Sequence, residues 1–219
     1  MPAYQFFFRV LHNYPRVIAS RMETPVSLVI AFIGAHGAAM GGDRREVITR
    51  GDRIMTETLE HELYSGQIVT DEALMQRAHE LSVLLTIRDD KRKITRRGGI
   101  LVGEVSEAEG GVTKKRRLYA TGGGYVLTEI TSGEIRVSGK GKAGTFIVMG
   151  NHVTQEITHS CIRENWKNGT MHDAIRIIVL SMQRAAAISA SVSGLFDLIQ
   201  TQKSEVIDTV IEHDSRNKQ

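Results

Sequence analysis

Apolar and polar positions alternate along this chain in two rhythms. From Leu28 to Ile33 every residue is apolar, then Gly34 and Gly37 bracket a turn and Ala38–Gly41 resumes the run. A short unbroken apolar run bounded by turn residues predicts a strand buried on both faces, here the first arm of a hairpin. A charged stretch follows. Thr56–Tyr64 then carries Leu59 and Leu63 four apart, the spacing of a helix face. Thr70-Asp-Glu-Ala reads as a helix start, with Thr70 as N-cap and Ala73, Leu74, Ala78 and Leu81 to one side. Val83–Ile87 is β-branched and apolar and predicts a strand, so residues 52–90 form a compact insertion with helices of its own.

Beyond the insertion the pattern is that of short strands and glycine turns. Lys93–Thr95, Arg97-Gly98-Gly99 and Ile100–Val105 predict a hairpin, and Glu107–Gly111 a loop. Val112–Ala120, Tyr125–Ile130 and Glu134–Val137 continue an antiparallel meander, and Phe146–Met149 is a further apolar strand. Two helices come next. His152–Trp166 is the first. Met171–Ser189 is the second, with Thr170 as N-cap, Asp173 at N3, and Ala174, Ile178, Met182 and Ala185 on its buried face. Leu195–Thr201 is a last strand, and Ser204–His213 a short terminal helix or strand. Strands first, two late helices and one strand after them predict an α+β sandwich whose helices cover one outer face.

Composition narrows the function classes. With 219 residues the chain can bury one full-sized core, and mixed charge with ordinary apolar content marks a globular protein. The net charge of +3 is weak grounds for a nucleic-acid partner. The basic runs Lys91–Arg97 and Lys114–Arg117 have only Tyr119 beside them and read as a solvated hairpin face, with an acidic peptide substrate as the further reading. No apolar run reaches the roughly 18 residues that a membrane span needs. The single cysteine, Cys161, excludes an intramolecular disulfide, fits a reducing cytoplasm and falls on a helix face as a packing residue. Gly122–Gly124 and Gly139–Gly144 lack the spacing of a phosphate loop, and the histidines show no paired metal spacing, so neither metal nor cofactor is expected.

Residues 1–26 differ from the rest. Phe6, Phe7 and Phe8 are adjacent, arginine outweighs acid, and no periodicity is sustained. The segment reads as a non-native upstream extension, a removable propeptide or a structured arm. Val26 bears on the first reading, because a GTG start codon translates as valine when it is read as internal. The point matters for Ser27. A serine hydroxyl is a poor nucleophile without a base, and a chain beginning at Ser27 supplies one in its own α-amine, whose unperturbed pKa is near ~8. A hairpin brings Asp43 back beside the start of the first strand. Asp43 is then the carboxylate that orients a cation, Lys93 or Lys91 is that cation, and the Gly103 amide is the natural oxyanion donor.

The run from Ser27 through the glycine turn to Gly41-Gly-Asp43-Arg-Arg45 resembles the opening of proteasome β-subunits. So do Phe146-Ile-Val-Met-Gly150, the two late helices and Ser189-Ala-Ser-Val-Ser-Gly194-Leu-Phe-Asp197. That resemblance implies the N-terminal nucleophile (Ntn) hydrolase fold, an antiparallel β-sandwich. It maps Ser27 onto the nucleophile, Asp43 onto the aspartate and Gly103 onto the oxyanion glycine. Lys93 is the best match for the lysine, because Ile94 follows it, and Lys91 is the runner-up. Ser189 falls where a supporting aspartate stands, and Ser191 or Ser193 can replace the supporting serine. No room exists between Gly103 and Leu118 for the pair of helices found in proteasome subunits, so one helical layer is reduced and a ring is not expected.

These departures are those of a narrower group. Ser27–Arg45, Glu62–Asp71, Leu101–Ser106, Glu109–Ala120 and Ala190–Ser193 closely resemble connectase, the proteasome-like protein ligase family of methanogenic archaea. The resemblance covers nearly all of residues 27–215. It implies a transpeptidase that holds an acyl ester on Ser27 and passes it to an amine. It also implies a peptide substrate with a short recognition motif, such as a methyltransferase-complex subunit, and a cytoplasmic monomer. A peptidase or amidase, or a silent peptide-binding domain, is the alternative.

Overall fold

The computed structural model describes residues 16–19, 28–109, 112–167 and 169–216. Two five-stranded sheets are stacked face to face. The first contains β1 (Arg16–Ala19), β2 (Val29–Gly34), β3 (Gly37–Asp43), β11 (Thr145–Met149) and β12 (Phe196–Thr201), in the order β1-β11-β2-β3-β12. Only β1 runs parallel to its neighbour, β11. The second is an antiparallel meander of β6 (Ile94–Arg97), β7 (Ile100–Glu109), β8 (Val112–Thr121), β9 (Gly124–Thr131) and β10 (Glu134–Lys142). Residues 107–109, expected in a loop, instead extend β7 and pair with residues 112–114 of β8.

The unbroken apolar run of β2 follows from its position in the middle of the stack. Val29, Ala31 and Ile33 face the second sheet and meet Leu101, Leu118 and Ala120. Leu28, Ile30 and Phe32 face the other way, onto α3 (His152–Asn165) and α4 (Met171–Ile188), where Cys161, Ile178 and Met182 lie. Both faces are dry, so no polar alternation can appear. The Thr170 and Asn151 side chains accept the Asp173 and Thr154 amides and cap these helices.

The helices do not all lie on one outer face. The terminal segment forms α5 (Ile207–Arg216), which packs Ile207, Val210 and Ile211 on Ile100, Val102, Tyr119 and Val126 of the second sheet. Asp214 fastens it, accepting from Arg117 at 2.6 Å, from the Tyr119 hydroxyl at 2.7 Å and from Arg97. The basic run of β8 is spent on carboxylates: Lys115 and Arg117 hold Glu104, and Arg116 holds Glu129.

The insertion is a separate small layer. Its helices α1 (Arg53–Tyr64) and α2 (Asp71–Glu80) are capped by Asp52 and Thr70. They pack Leu59, Leu63, Tyr64, Leu74 and Ala78 against Val47, Leu85 and Ile87 of a two-stranded ribbon. That ribbon pairs β5 (Leu84–Arg88) with β4 (Glu46–Arg50), the stretch that in sequence reads only as charged. No helix among the described residues is long and apolar enough to cross a membrane.

Candidate active site

The end of β3 and the start of β2 meet, as the hairpin requires. Asp43 is fully buried there. Its Oδ1 accepts the Leu28 amide at 2.7 Å and the Lys93 ammonium at 2.7 Å, and its Oδ2 accepts the Arg45 amide at 2.9 Å. The Asp43 amide in turn donates to the Leu28 carbonyl at 3.1 Å. The carboxylate therefore has one orientation, and a cation is fixed beneath the entry to β2. Ser27 precedes Leu28 in the chain and lies outside the described residues.

Lys93 sits just before β6, its side chain 4 % exposed. Burial pulls its ammonium below the ordinary lysine range. The charges of Asp43 and Glu46 oppose this, and Lys91 adds to it, with a net shift downward. A lysine in this state can hold positive charge next to Asp43 or give up a proton at less cost than a solvated one. Lys91, the other candidate, points elsewhere: it is half exposed and donates to Glu46 at 2.8 Å.

Gly103 is buried in β7, where a Cβ would come within 2.8 Å of both Met40 Sδ and Val29 Cγ1. The close approach of the two sheets thus requires glycine at this position. Its amide is not open to a ligand on the Lys93 side. The Glu104 amide donates to the Lys93 carbonyl at 2.9 Å, so by strand alternation the Gly103 amide faces β8, where Gly103 lies opposite Leu118.

The serine loop after α4 is buried but does not reach the Asp43–Lys93 pair with a hydrogen bond. Ser189 and Ser191 hydroxyls are 2.7 Å apart, and Asn151 Nδ2 donates to Ser191 at 3.3 Å, tying the loop to the cap of α3. Ser193 accepts the Leu195 amide at 3.0 Å.

Arg45 is the residue that spacing missed. Its guanidinium is buried and forks between two carboxylates of the insertion. Nε and Nη2 reach the two Asp89 oxygens, each at 2.9 Å, Nη2 reaches Asp71 at 3.1 Å, and Nη1 also meets Asp71. Nη1 donates as well to the Ala190 carbonyl at 2.9 Å. The arginine beside Asp89 holds that carboxyl below its usual range. One side chain thus joins the insertion, the serine loop and, through its own amide, Asp43. The signal in sequence was the doubled arginine after Asp43: Arg44 takes Asp197 on β12, and Arg45 takes the insertion. The insertion also brings in Tyr64, a buried phenol whose pKa is raised by burial and by the charges of Glu60 and Asp43.

The family model described as the connectase MJ0548-like N-terminal domain matches residues 26–216. The chain belongs to the connectase family. The match runs from one end of the sandwich to the other and spans the insertion. It also spans Asp43, Lys93, Gly103, Ser191 and Ser193. Membership points to a connectase-like function. No curated protein matches the chain.

Proposed function

We propose that this chain is a protein ligase of the N-terminal nucleophile type, working from Ser27 in a form that begins at that residue. The observation that carries the reading is the buried Asp43–Lys93 pair at 2.7 Å, hydrogen-bonded through Asp43 to the amide of the residue that follows Ser27. In the proposed reaction the free α-amine takes the Ser27 hydroxyl proton, and Oγ bonds to the carbonyl carbon of a substrate peptide bond. The carbonyl electrons move onto oxygen and return as the C–N bond breaks. The leaving amine takes the proton back, and an acyl ester remains on Oγ. An incoming amine repeats the steps in reverse, giving a new peptide bond. The positive Lys93 keeps the α-amine partly neutral and hydrogen-bonds the attacking oxygen, while Asp43 holds Lys93 in place.

Ligation needs the ester to meet an amine before water. We assign that role to the insertion, clamped by Arg45 as one wall of the substrate groove. The substrate is a protein or peptide with a short recognition motif, and a subunit of the methanogen methyltransferase complex is the first to try. The proteasome-like Ntn fold belongs to this reading. It is supported by two stacked sheets with α3 and α4 on one outer face and, among the described residues, α5 on the other.

One observation favours the silent-binder alternative. Residues 16–19 add an edge strand to β11, which fits a segment that is retained. With that segment in place the Ser27 nitrogen is an amide and cannot act as a base. Intact-mass measurement separates the two. Incubated with substrate peptide, the form beginning at Ser27 should gain a hydroxylamine-sensitive acyl mass that the Ser27→Ala form does not. Failure of the Ser27 form to gain it leaves the binding reading.

A further inference from the structure

Most arginines in the described residues hold a carboxylate. Arg50, Arg88 and Arg92 are exposed and hold none among the described residues, and all three belong to the ribbon or to the link that leaves it. Pairing places them. On the inner face of the ribbon Val47, Leu85 and Ile87 meet the insertion helices. By alternation Glu46, Ile48 and Arg50 of β4 and Leu84, Thr86 and Arg88 of β5 form the outer face, paired as Glu46 with Arg88, Ile48 with Thr86 and Arg50 with Leu84. Leu84 is 74 % exposed there, directly across from Arg50, while Arg88 lies across from Glu46, which Lys91 holds.

This face starts at the candidate site. Glu46 follows Arg45 directly and holds Lys91, the Lys91 amide donates to the Arg44 carbonyl at 3.1 Å, and Arg45 holds Asp89 at the exit of β5. The Arg88 end is therefore next to the Asp43–Lys93 pair. The Arg50 end lies four residues further out, roughly 13 Å at strand rise. An extended chain leaving the site along the ribbon would pass Arg88, then Ile48, then Arg50 with Leu84 across from it.

We propose that the outer face of the ribbon is the docking surface for the polypeptide substrate, and that it selects a segment with two acidic side chains about four residues apart and an aliphatic one between them. Arg88 takes the carboxylate nearer the reacting bond, Arg50 the farther one, and Ile48, diagonal to the exposed Leu84, seats the aliphatic side chain. The proposal rests on the ligase reading for its direction, but docking itself needs no chemistry.

The test uses the full chain and binding alone, with a displayed random peptide library as the probe. The wild-type chain should enrich peptides with Asp or Glu at i and i+4. The Arg50→Glu/Arg88→Glu form, checked for an unchanged melting temperature, should lose at least about tenfold in affinity for an enriched peptide and enrich Lys and Arg at those positions instead. Binding of the wild type should weaken with salt. An unchanged peptide pool from the reversed form, or no enrichment of acidic pairs by the wild type, overturns the proposal. Acidic enrichment without any acyl adduct on the Ser27 form would sink the ligase reading and leave the docking surface standing.

Discussion

Lys93 and Asp43 form the kind of pair whose loss is felt in both stability and pH dependence. The folded-state pKa of Lys93 lies below its unfolded value, so the unfolded chain binds this proton more tightly. Its contribution to stability therefore rises with pH, from the depressed folded pKa up to the unfolded value near ~10.4. Urea unfolding at a series of pH values up to 10 should show this rise in the wild type, and Lys93→Met should remove it. An identical slope in both would mean that Lys93 is not the group responsible. Gly103→Ala tests the close approach of the two sheets. A methyl at that position meets Met40 Sδ and Val29 Cγ1 at 2.8 Å and should cost about 1–3 kcal/mol in thermal or urea unfolding. The need for glycine could be suspected from sequence, because the residue interrupts an apolar strand. Which way its amide faces could not, because that depends on the parity of pairing with Lys93.

At the level of elements, what was local was legible. α2 and α4 carry their N-caps, Thr70 and Thr170, in the sequence itself, and their apolar faces repeat at helical spacing. The Leu28–Gly41 hairpin carries its own turn. β4 was not legible, because Glu46–Arg50 looks like surface and becomes a strand only against Leu84–Arg88, some forty residues on. The reach of Arg45 was hidden for the same reason: Asp71 and Asp89 are 26 and 44 residues away. Excising the insertion would leave β4 unpaired and Arg45 buried without its carboxylates, so excision tests folding and groove together. The cleaner change is Arg45→Gln, which releases the insertion but keeps every element. Chemical unfolding should then show a loss on the order of 3 kcal/mol. Proteolysis should cut first within residues 51–90. An insertion as protected as in the wild type would contradict the clamp.

Across the whole molecule, the described residues give the two sheets different cover: α3 and α4 over the first, α5 over part of the second, and the insertion beside the end where β2 begins. The central claim is that this end works from a free amine on Ser27. The most direct measurement is the transfer rate of the form that begins at Ser27, before and after its α-amine is acetylated, with the hydroxyl, Asp43 and Lys93 untouched. The account predicts transfer of a labelled peptide onto an added amine by the free form, and its loss on acetylation. Transfer that survives acetylation, or that the full chain performs with residues 1–26 in place, would contradict it.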